Sequence, residues 1–251
     1  ANREPNRDDL EDTTPASRPG PARLYAPELG VEHRAGRWNA GINAYYMDYT
    51  DQLVLTGELN DVGAALRTPV PRRYRAGEEL LFGVQIAKPL TWKANATLSM
   101  NKVRDFTEYV DDWDNGGQVA VHYASSDLAF SPNAIAASEL SLRVWNKPKK
   151  GRADITLVTK YVGSQYLDNS ASADRMLDAY VVNDLRANVT LLSMKGTKSI
   201  DFNLTVRNIF SELYESNGWS YSYISDDHRQ EQVGLFPQAP INVLGGVSVR
   251  F

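Results

Sequence analysis

The sequence predicts an all-β fold: an antiparallel transmembrane β-barrel, of which these 251 residues supply a part. Three observations support this prediction. Segments of strand length alternate between apolar and polar side chains, the gaps between them alternate between short and long, and tryptophan recurs beside the short gaps. Strands that face lipid on one side and an aqueous interior on the other show this pattern.

Composition excludes several other classes of protein. The net charge of −4, from 27 basic and 31 acidic side chains, gives no reason to expect a nucleic-acid partner. Cysteine is absent, which excludes disulfides and thiolate metal sites within this sequence. No stretch approaches the roughly 20 consecutive apolar residues of a membrane helix. Alternating strands are missed by such a search because polar residues dilute their hydrophobicity.

The alternation is cleanest in four segments, at residues 92–101, 184–191, 200–207 and 241–251. In the first, Trp92, Ala94, Ala96, Leu98 and Met100 alternate with five polar residues. A soluble β-sandwich would show the same period, with the apolar face turned to a core. Alternation alone therefore leaves a barrel and a sandwich open.

The gap lengths favour the barrel. Short gaps at residues 35–36, 88–90, 147–151 and 194–197 take turns with long gaps at residues 58–72, 105–124, 165–176 and 211–240. Outer-membrane barrels have short periplasmic turns and long external loops, whereas a sandwich has no reason to alternate in this way. Nine strands are predicted, at residues 22–34, 37–57, 73–87, 91–104, 125–146, 152–164, 177–192, 198–210 and 240–251.

The odd number of strands predicts that the barrel is incomplete. Bacterial single-chain barrels have even strand numbers, and an open sheet would leave unpaired backbone groups in hydrocarbon. We therefore expect residues 1–21 to be an extracellular loop segment and residues 22–251 to be the C-terminal portion of a barrel that other strands close.

Tryptophan placement predicts an aromatic girdle. Trp38, Trp92 and Trp145 each lie within two residues of a short turn, and Tyr46 and Tyr161 stand where the opposite girdle is expected. Packing of tryptophan at the strand ends of any sheet is the alternative explanation.

Three stretches carry a family resemblance. YYMDYTDQLVLTGELNDVG (45–63), NLTVRNIFSELYESNGWSYSY (203–223) and GLFPQAPINVLGGVSVRF (234–251) resemble the C-terminal barrel of TonB-dependent receptors. In that family an alternating strand is followed by an Asn-Leu-Phe-like turn and a tyrosine. Residues 206–210 (VRNIF) and Tyr214 stand in those places. Phe251 matches the terminal aromatic that the outer-membrane assembly machinery recognises.

The resemblance implies a 22-stranded barrel with a plugged lumen in the bacterial outer membrane. It implies energised import of a bulky nutrient, with a ferric siderophore or other iron chelate first, and haem, cobalamin or a glycan as alternatives. The implied partners are the lipid bilayer, the remaining strands and plug domain, a TonB-type energy-coupling protein and a surface lipoprotein. No cofactor is expected. The sequence departs from the family because it contains neither a plug domain nor a coupling box.

Two predicted external loops carry candidate ligand-binding residues. Asp111, Asp112, Trp113 and Asp114 could contact a hard cation or a sugar, although a flexible acidic loop is the simpler explanation. Trp219, Tyr221 and Tyr223 alternate with serine and could stack on a planar ligand or sugar ring. Cross-strand packing explains these three aromatic residues equally well.

A second set of residues is predicted to face the lumen and contact the plug: Lys93, Asn95, Asp184, Arg186, Asp201 and Arg207. Structural pairing within the wall is the alternative. We expect no enzymatic activity, because His33, His122 and His228 lack a nucleophile or metal-binding spacing. His122 is kept in view because barrel proteases use Asp and His near the rim. A surface-binding protein with a barrel anchor and a soluble all-β binding domain remain alternatives to a transporter.

Overall fold

The computed structural model describes residues 2–3, 21–59, 65–192 and 196–251; for residues 2–3, 51–59 and 65–71 it describes the backbone only. The regular structure of these residues is entirely β, which confirms the predicted fold class. None of them belongs to a helix long and apolar enough to cross a membrane. The strands are β1 (Asn2–Arg3), β2 (Ala22–Tyr25), β3 (Glu28–Ala35), β4 (Trp38–Leu59), β5 (Ala65–Ala87), β6 (Leu90–Asp112), β7 (Gln118–Asp127), β8 (Ala134–Lys147), β9 (Gly151–Val162), β10 (Gln165–Tyr166), β11 (Met176–Leu177), β12 (Tyr180–Leu192), β13 (Ser199–Arg207), β14 (Glu215–Ser225), β15 (His228–Pro237) and β16 (Asn242–Arg250).

Nine antiparallel strands form one continuous wall in the described residues, in the order β3-β4-β5-β6-β8-β9-β12-β13-β16. Strand β2 continues the line of β3 along β4. The number and order of the wall strands agree with the sequence prediction. The predicted extracellular segment, residues 1–21, lies outside the described residues except for residues 2–3 and 21, and so do residues 194 and 195 of the fourth short turn.

The register aligns the apolar rows of neighbouring strands into one outer face. Trp92 of β6 lies between Val84 of β5 and Leu140 of β8, and Leu204 of β13 lies between Ala187 of β12 and Gly245 of β16. The side chains of this face are exposed, with Leu204 47% and Val247 61% accessible. No second sheet covers them among the described residues, so the apolar face is not the core of a sandwich.

Buried apolar side chains are found instead at the end of the wall that carries the long connections, which we call the loop end. They are Val103, Phe106, Val110, Leu128, Val162, Leu167 and Leu177. A positive φ of 52° at Asp105 interrupts the alternation of β6, so that Val103 and Phe106, three residues apart, are both buried. Phe106 also stacks on Tyr123 of β7, with ring centroids 6.1 Å apart.

At the loop end, several strand boundaries differ from those predicted from the sequence. Residues 105–124 were expected to be loop, but β6 continues to Asp112 and pairs with β7. The predicted strand at 125–146 is wrong, because β7 and β8 are separate strands joined by residues 128–133. Most of 58–72 belongs to the long β4–β5 hairpin, 165–176 contains β10 and the start of β11, and 211–240 contains the β14–β15 hairpin. Beyond the membrane both faces of a strand can be covered by protein, so the alternation that marks wall strands disappears there.

The tryptophans at the other end of the wall, where the short turns lie, follow the predicted aromatic girdle with one adjustment. Trp38 and Trp92 both border Val84, so they lie in one row of the outer face. Strict alternation would place Trp145 on the inner face with Arg143. A bulge between these two residues brings Trp145 opposite Ala153, on the outer face.

Candidate ligand-binding surface

Strand β14 joins the two candidate loops that the sequence identified separately. It pairs in parallel with the last residues of β6, placing Tyr223 beside Asp111 and Ile224 beside Asp112. The backbone nitrogen of Trp113 donates to the carbonyl oxygen of Ile224 at 3.0 Å. Residues more than 100 positions apart in the chain therefore form one surface at the loop end.

Four aromatic side chains, Trp113, Trp219, Tyr221 and Tyr223, form what we call the aromatic surface. Trp113 stacks on Tyr223, with ring centroids 3.9 Å apart and an interplanar angle of 18°. Tyr221 extends the stack at 5.8 Å from Tyr223. Trp113 is 59% exposed even though it is stacked, so much of its ring remains accessible to a ligand.

Trp219 lies on the same face of β14 as Tyr221 and Tyr223, because residues two apart in a strand share a face. Its cross-strand partner on β15 is Gly234. A side chain at Gly234 would collide with the indole of Trp219, so the glycine makes room for the ring. Trp219 is half exposed and is not in ring contact with Trp113 among the described aromatic pairs.

The three aspartates of the first loop hold this surface in place. Asp111 accepts hydrogen bonds from the Tyr221 hydroxyl at 2.5 Å and from Nε2 of Gln118 at 2.8 Å. Asp112 accepts from the backbone nitrogens of Asp114 and Asn115, both at 3.0 Å, and closes the β6–β7 turn. These bonds fix the position of Trp113 between them.

Asp114 links the first loop to the β14–β15 turn. Its carboxylate accepts from the backbone nitrogens of Asp226 at 3.0 Å and Asp227 at 2.9 Å. Hydrogen bonds from Asn115 keep the pKa of Asp112 below its usual value, while burial and the hydrogen bond to Asp111 raise the pKa of Tyr221. All three carboxylates thus serve the loop structure. Within the described residues, no group of His, Asp or Glu is arranged to hold a metal ion.

A buried ionic cluster beneath the aromatic surface was not predicted from the sequence. We call it the Arg175 network; it comprises Arg175, Glu108, Asp168, Arg229 and Glu231. The guanidinium of Arg175 contacts Glu108 and Asp168, each at 2.8 Å, and is 3% exposed. Arg229 contacts Glu108 at 2.7 Å and Glu231 at 3.1 Å. The network therefore joins β6, the β9–β12 connection and the β14–β15 hairpin.

Serine and tyrosine hydroxyls add hydrogen bonds to this network, although Nε of Arg175 and Oε2 of Glu231 are buried without a hydrogen-bond partner among the described residues. Arg175 donates to Ser170 Oγ at 2.7 Å and Ser222 Oγ at 2.8 Å, and the Tyr123 hydroxyl donates to Glu108 at 2.9 Å. Partners 67 and 121 residues from Glu108 leave no local sequence pattern. The only sequence signal was indirect: charged residues concentrated in connections too long for simple turns.

Acidification is expected to loosen the loop end. Burial raises the pKa of Glu108, but hydrogen bonds from Arg229 and Arg175 outweigh it and the net shift is downward. A lowered folded-state pKa stabilises the protein above the unfolded pKa of about 4.3, and this contribution is lost as the pH falls through the folded value. Hydrogen exchange of residues 165–177 should therefore accelerate below about pH 4.

Glu108→Gln provides the control for this titration. The variant should exchange faster than the parent at neutral pH and lack the additional acid-induced step. Faster exchange of the parent as the pH rises from 4 to 7, after correction for the intrinsic rate, would contradict the assignment.

The predicted lumen-facing residues lie on the polar inner face but do not form one site. Lys93 and Asn95 are on β6, whereas Asp184, Arg186, Asp201 and Arg207 lie on β12 and β13. Asp201 accepts from Thr190 Oγ1 at 2.7 Å, and Asp184 accepts from the backbone nitrogen of Asn208 at 3.0 Å. Each of these two carboxylates is hydrogen-bonded to a neighbouring residue of this chain, while contact with a plug remains a prediction. His122, the residue considered for catalysis, is 4.0 Å from an exposed Asp105.

Nine antiparallel strands with an exposed apolar face and an assembled loop cluster define part of a transmembrane β-barrel. A family model described as TonB dependent receptor-like, beta-barrel, matches residues 22–209. The chain belongs to this family. A search of curated proteins found no match.

Solved structures support the fold. The copper transporter OprC aligns with a TM-score of 0.67 and 14% identity, over 100% of this chain and 36% of OprC. The ferric preacinetobactin receptor BauA from Acinetobacter baumannii aligns with a TM-score of 0.64 and 15% identity, over 96% of this chain and 32% of BauA. The ferric yersiniabactin uptake receptor FyuA from Yersinia pestis has a TM-score of 0.56 and 15% identity, over 93% and 31%. The chain thus spans about a third of the length of these structures.

Proposed function

We propose that the chain is part of an outer-membrane receptor that imports a bulky nutrient, with the ligand first bound at the aromatic surface. The observation that carries this proposal is the stack of the exposed Trp113 on Tyr223, at the loop end of a barrel of the TonB-dependent receptor family. Exposed aromatic rings supply contact area at little entropic cost. The Arg175 network beneath the surface holds the rings in position before a ligand arrives.

An iron chelate is the first ligand we propose. BauA is a ferric preacinetobactin receptor and FyuA a ferric yersiniabactin uptake receptor, and both share the fold. The planar aromatic groups of many iron chelates could stack on the exposed ring of Trp113. A glycan is the second candidate, since a sugar ring also packs on an exposed indole and Asp111 lies beside the surface.

The remaining partners follow from family membership. We propose that residues 22–251 are closed into a barrel by further strands, that a plug domain fills the lumen against the inner face, and that a TonB-type protein supplies energy. We also propose that the exposed Phe251 is the signal read by the outer-membrane assembly machinery. A barrel that only anchors a binding surface would bind ligand equally well but would not import it.

Trp113→Ala is expected to weaken ligand binding to the intact receptor. Ferric preacinetobactin and ferric yersiniabactin are suitable probes, measured by quenching of intrinsic fluorescence. Because a central aromatic contact contributes about 2 kcal/mol or more, affinity for the probe that binds should fall about 30-fold. Phe210→Ala is the matched control, since it removes another highly exposed aromatic ring outside the aromatic surface.

Two results would contradict the proposal. Failure of every ferric chelate to bind the intact receptor would remove iron chelates as the ligand class. Equal losses in Trp113→Ala and Phe210→Ala would show that the aromatic surface is not the contact site.

A further inference from the structure

Two arginines on the inner face of β5, Arg73 and Arg75, are close together and partly buried. They are two residues apart, so both side chains project from the same face about 7 Å from each other. Arg73 lies between Tyr49 of β4 and Val103 of β6, and Arg75 lies beside Asn101 of β6. This position is on the inner face, near the loop end.

The site stands beyond the lipid-facing band. On the outer face of β5, the apolar row of Val84, Phe82 and Leu80 is followed by Glu78, Ala76, Tyr74 and Arg72. Charged groups are costly in hydrocarbon, so this change marks the edge of the membrane. Arg73 and Arg75 therefore line the aqueous mouth of the barrel.

Among the residues whose side chains are described, neither arginine contacts a counter-ion. The Arg73 guanidinium lies 4.7 Å from the centre of the Tyr49 ring, and Arg75 donates to Ser131 Oγ at 3.2 Å. The Nε atom of each is buried and has no hydrogen-bond partner in the described part of the chain. Burial and the neighbouring charge of Arg75 lower the pKa of Arg73 to about 10.

Two other arginines of this protein form ion pairs with carboxylates. Arg143 contacts Asp154 at 2.9 Å across the inner face, and Arg175 is held by two carboxylates. Neither Arg73 nor Arg75 has a carboxylate within ion-pair distance among the residues whose side chains are described. Two partly desolvated like charges cost free energy unless an anion compensates them.

We propose that Arg73 and Arg75 bind an oxyanion group, a carboxylate or phosphate, of the ligand that enters the barrel. This inference rests on the proposed function, since it assigns the inner face to the ligand path. Each guanidinium presents a fork of N–H donors that matches two oxygens of such a group. The site adjoins the β7–β8 connection through Ser131, which places it at the mouth, where an incoming ligand arrives.

Succinate is a suitable probe because its two flexible carboxylates can reach both guanidinium groups. Calorimetric titration of the intact receptor at constant ionic strength should detect binding that Arg73→Gln/Arg75→Gln weakens tenfold or more. Arg152→Gln is the matched control, since it removes an exposed inner-face arginine from the start of β9, away from the site. Its succinate affinity should stay within twofold of the parent.

A second measurement distinguishes a binding pair from a structural one. Without succinate, the double variant should melt at the same temperature as the parent or higher, because it removes the repulsion between two unpaired charges. Succinate should raise the melting temperature of the parent and of Arg152→Gln only. Equal succinate affinity in all three proteins, or a lower melting temperature of the double variant without succinate, would overturn the inference.

The outcome is separable from that of the proposed function. If succinate binding follows the predicted pattern while no ferric chelate binds, the iron-chelate proposal fails and the oxyanion site stands. If ferric chelates bind at Trp113 and succinate shows no dependence on the arginines, only the oxyanion site fails.

Discussion

Arg175→Met is expected to open the loop end at a cost of about 3–5 kcal/mol, the range for breaking a buried ion pair. The substitution keeps much of the side-chain length but removes the charge that Glu108 and Asp168 share. Asp168, which is 28% exposed, would lose its ionic partner, and the more deeply buried Glu108 would keep only Arg229 as an ionic partner. Hydrogen exchange across residues 165–177 and 215–237 should accelerate, while the wall strands should stay protected.

Arg152→Met is the matched control for this prediction. Arg152 is 62% exposed and lies 3.8 Å from Asp154, so its ion pair is worth about 0–1 kcal/mol. Exchange in the control should match the parent. Unchanged exchange in Arg175→Met would show that the network does not hold the loops together, and the aromatic surface would then lack its rigid base.

Leu204→Arg is expected to destabilise the folded barrel in phospholipid vesicles by about 2–4 kcal/mol, the cost of an arginine near the bilayer midplane. Leu204 projects from the outer face in the middle of β13, where it is 47% exposed. In water such a substitution would cost little, because the side chain is already accessible. A large loss of stability would therefore report lipid contact and not packing.

Asn203→Arg, one residue away, should be tolerated because its side chain projects from the inner face. Asn203 lies between Asn188 and Gly246, on the face that we assign to the aqueous interior. Denaturant unfolding of both variants in vesicles gives the comparison. Equal effects of the two substitutions would contradict the assignment of the two faces.

The wall could be predicted from the sequence because a single physical rule acts along its whole length. Lipid on one side and water on the other impose a period of two, and the apolar rows at 92–100 and 200–206 then fix both the strands and their faces. The rule fails locally at Trp145, where a bulge returns the ring to the outer face. It fails altogether beyond the membrane, which is why the sequence predicts loop over most of β7 and over the β14–β15 hairpin.

The candidate site was predictable in its parts but not in its assembly. The sequence identified them separately, Trp113 because three aspartates adjoin it and Tyr223 because aromatic residues alternate with serine around it. Their contact depends on the parallel pairing of β14 with β6, which no local pattern encodes. The Arg175 network was missed for the same reason. That Arg73 and Arg75 have no carboxylate partner among the described side chains can be recognised only once the carboxylates around them are located.

Site-specific labelling along β13 tests the central claim most directly. The 251 residues contain no cysteine, so single cysteines at positions 202 to 206 can be labelled with a fluorophore in the intact receptor, once any cysteine elsewhere in it has been replaced. Labels at Phe202, Leu204 and Val206 should be quenched by brominated lipid, and labels at Asn203 and Thr205 by aqueous iodide. Alternating quenching along five consecutive positions is the predicted result. Labels at Phe202, Leu204 and Val206 that brominated lipid does not quench would contradict it.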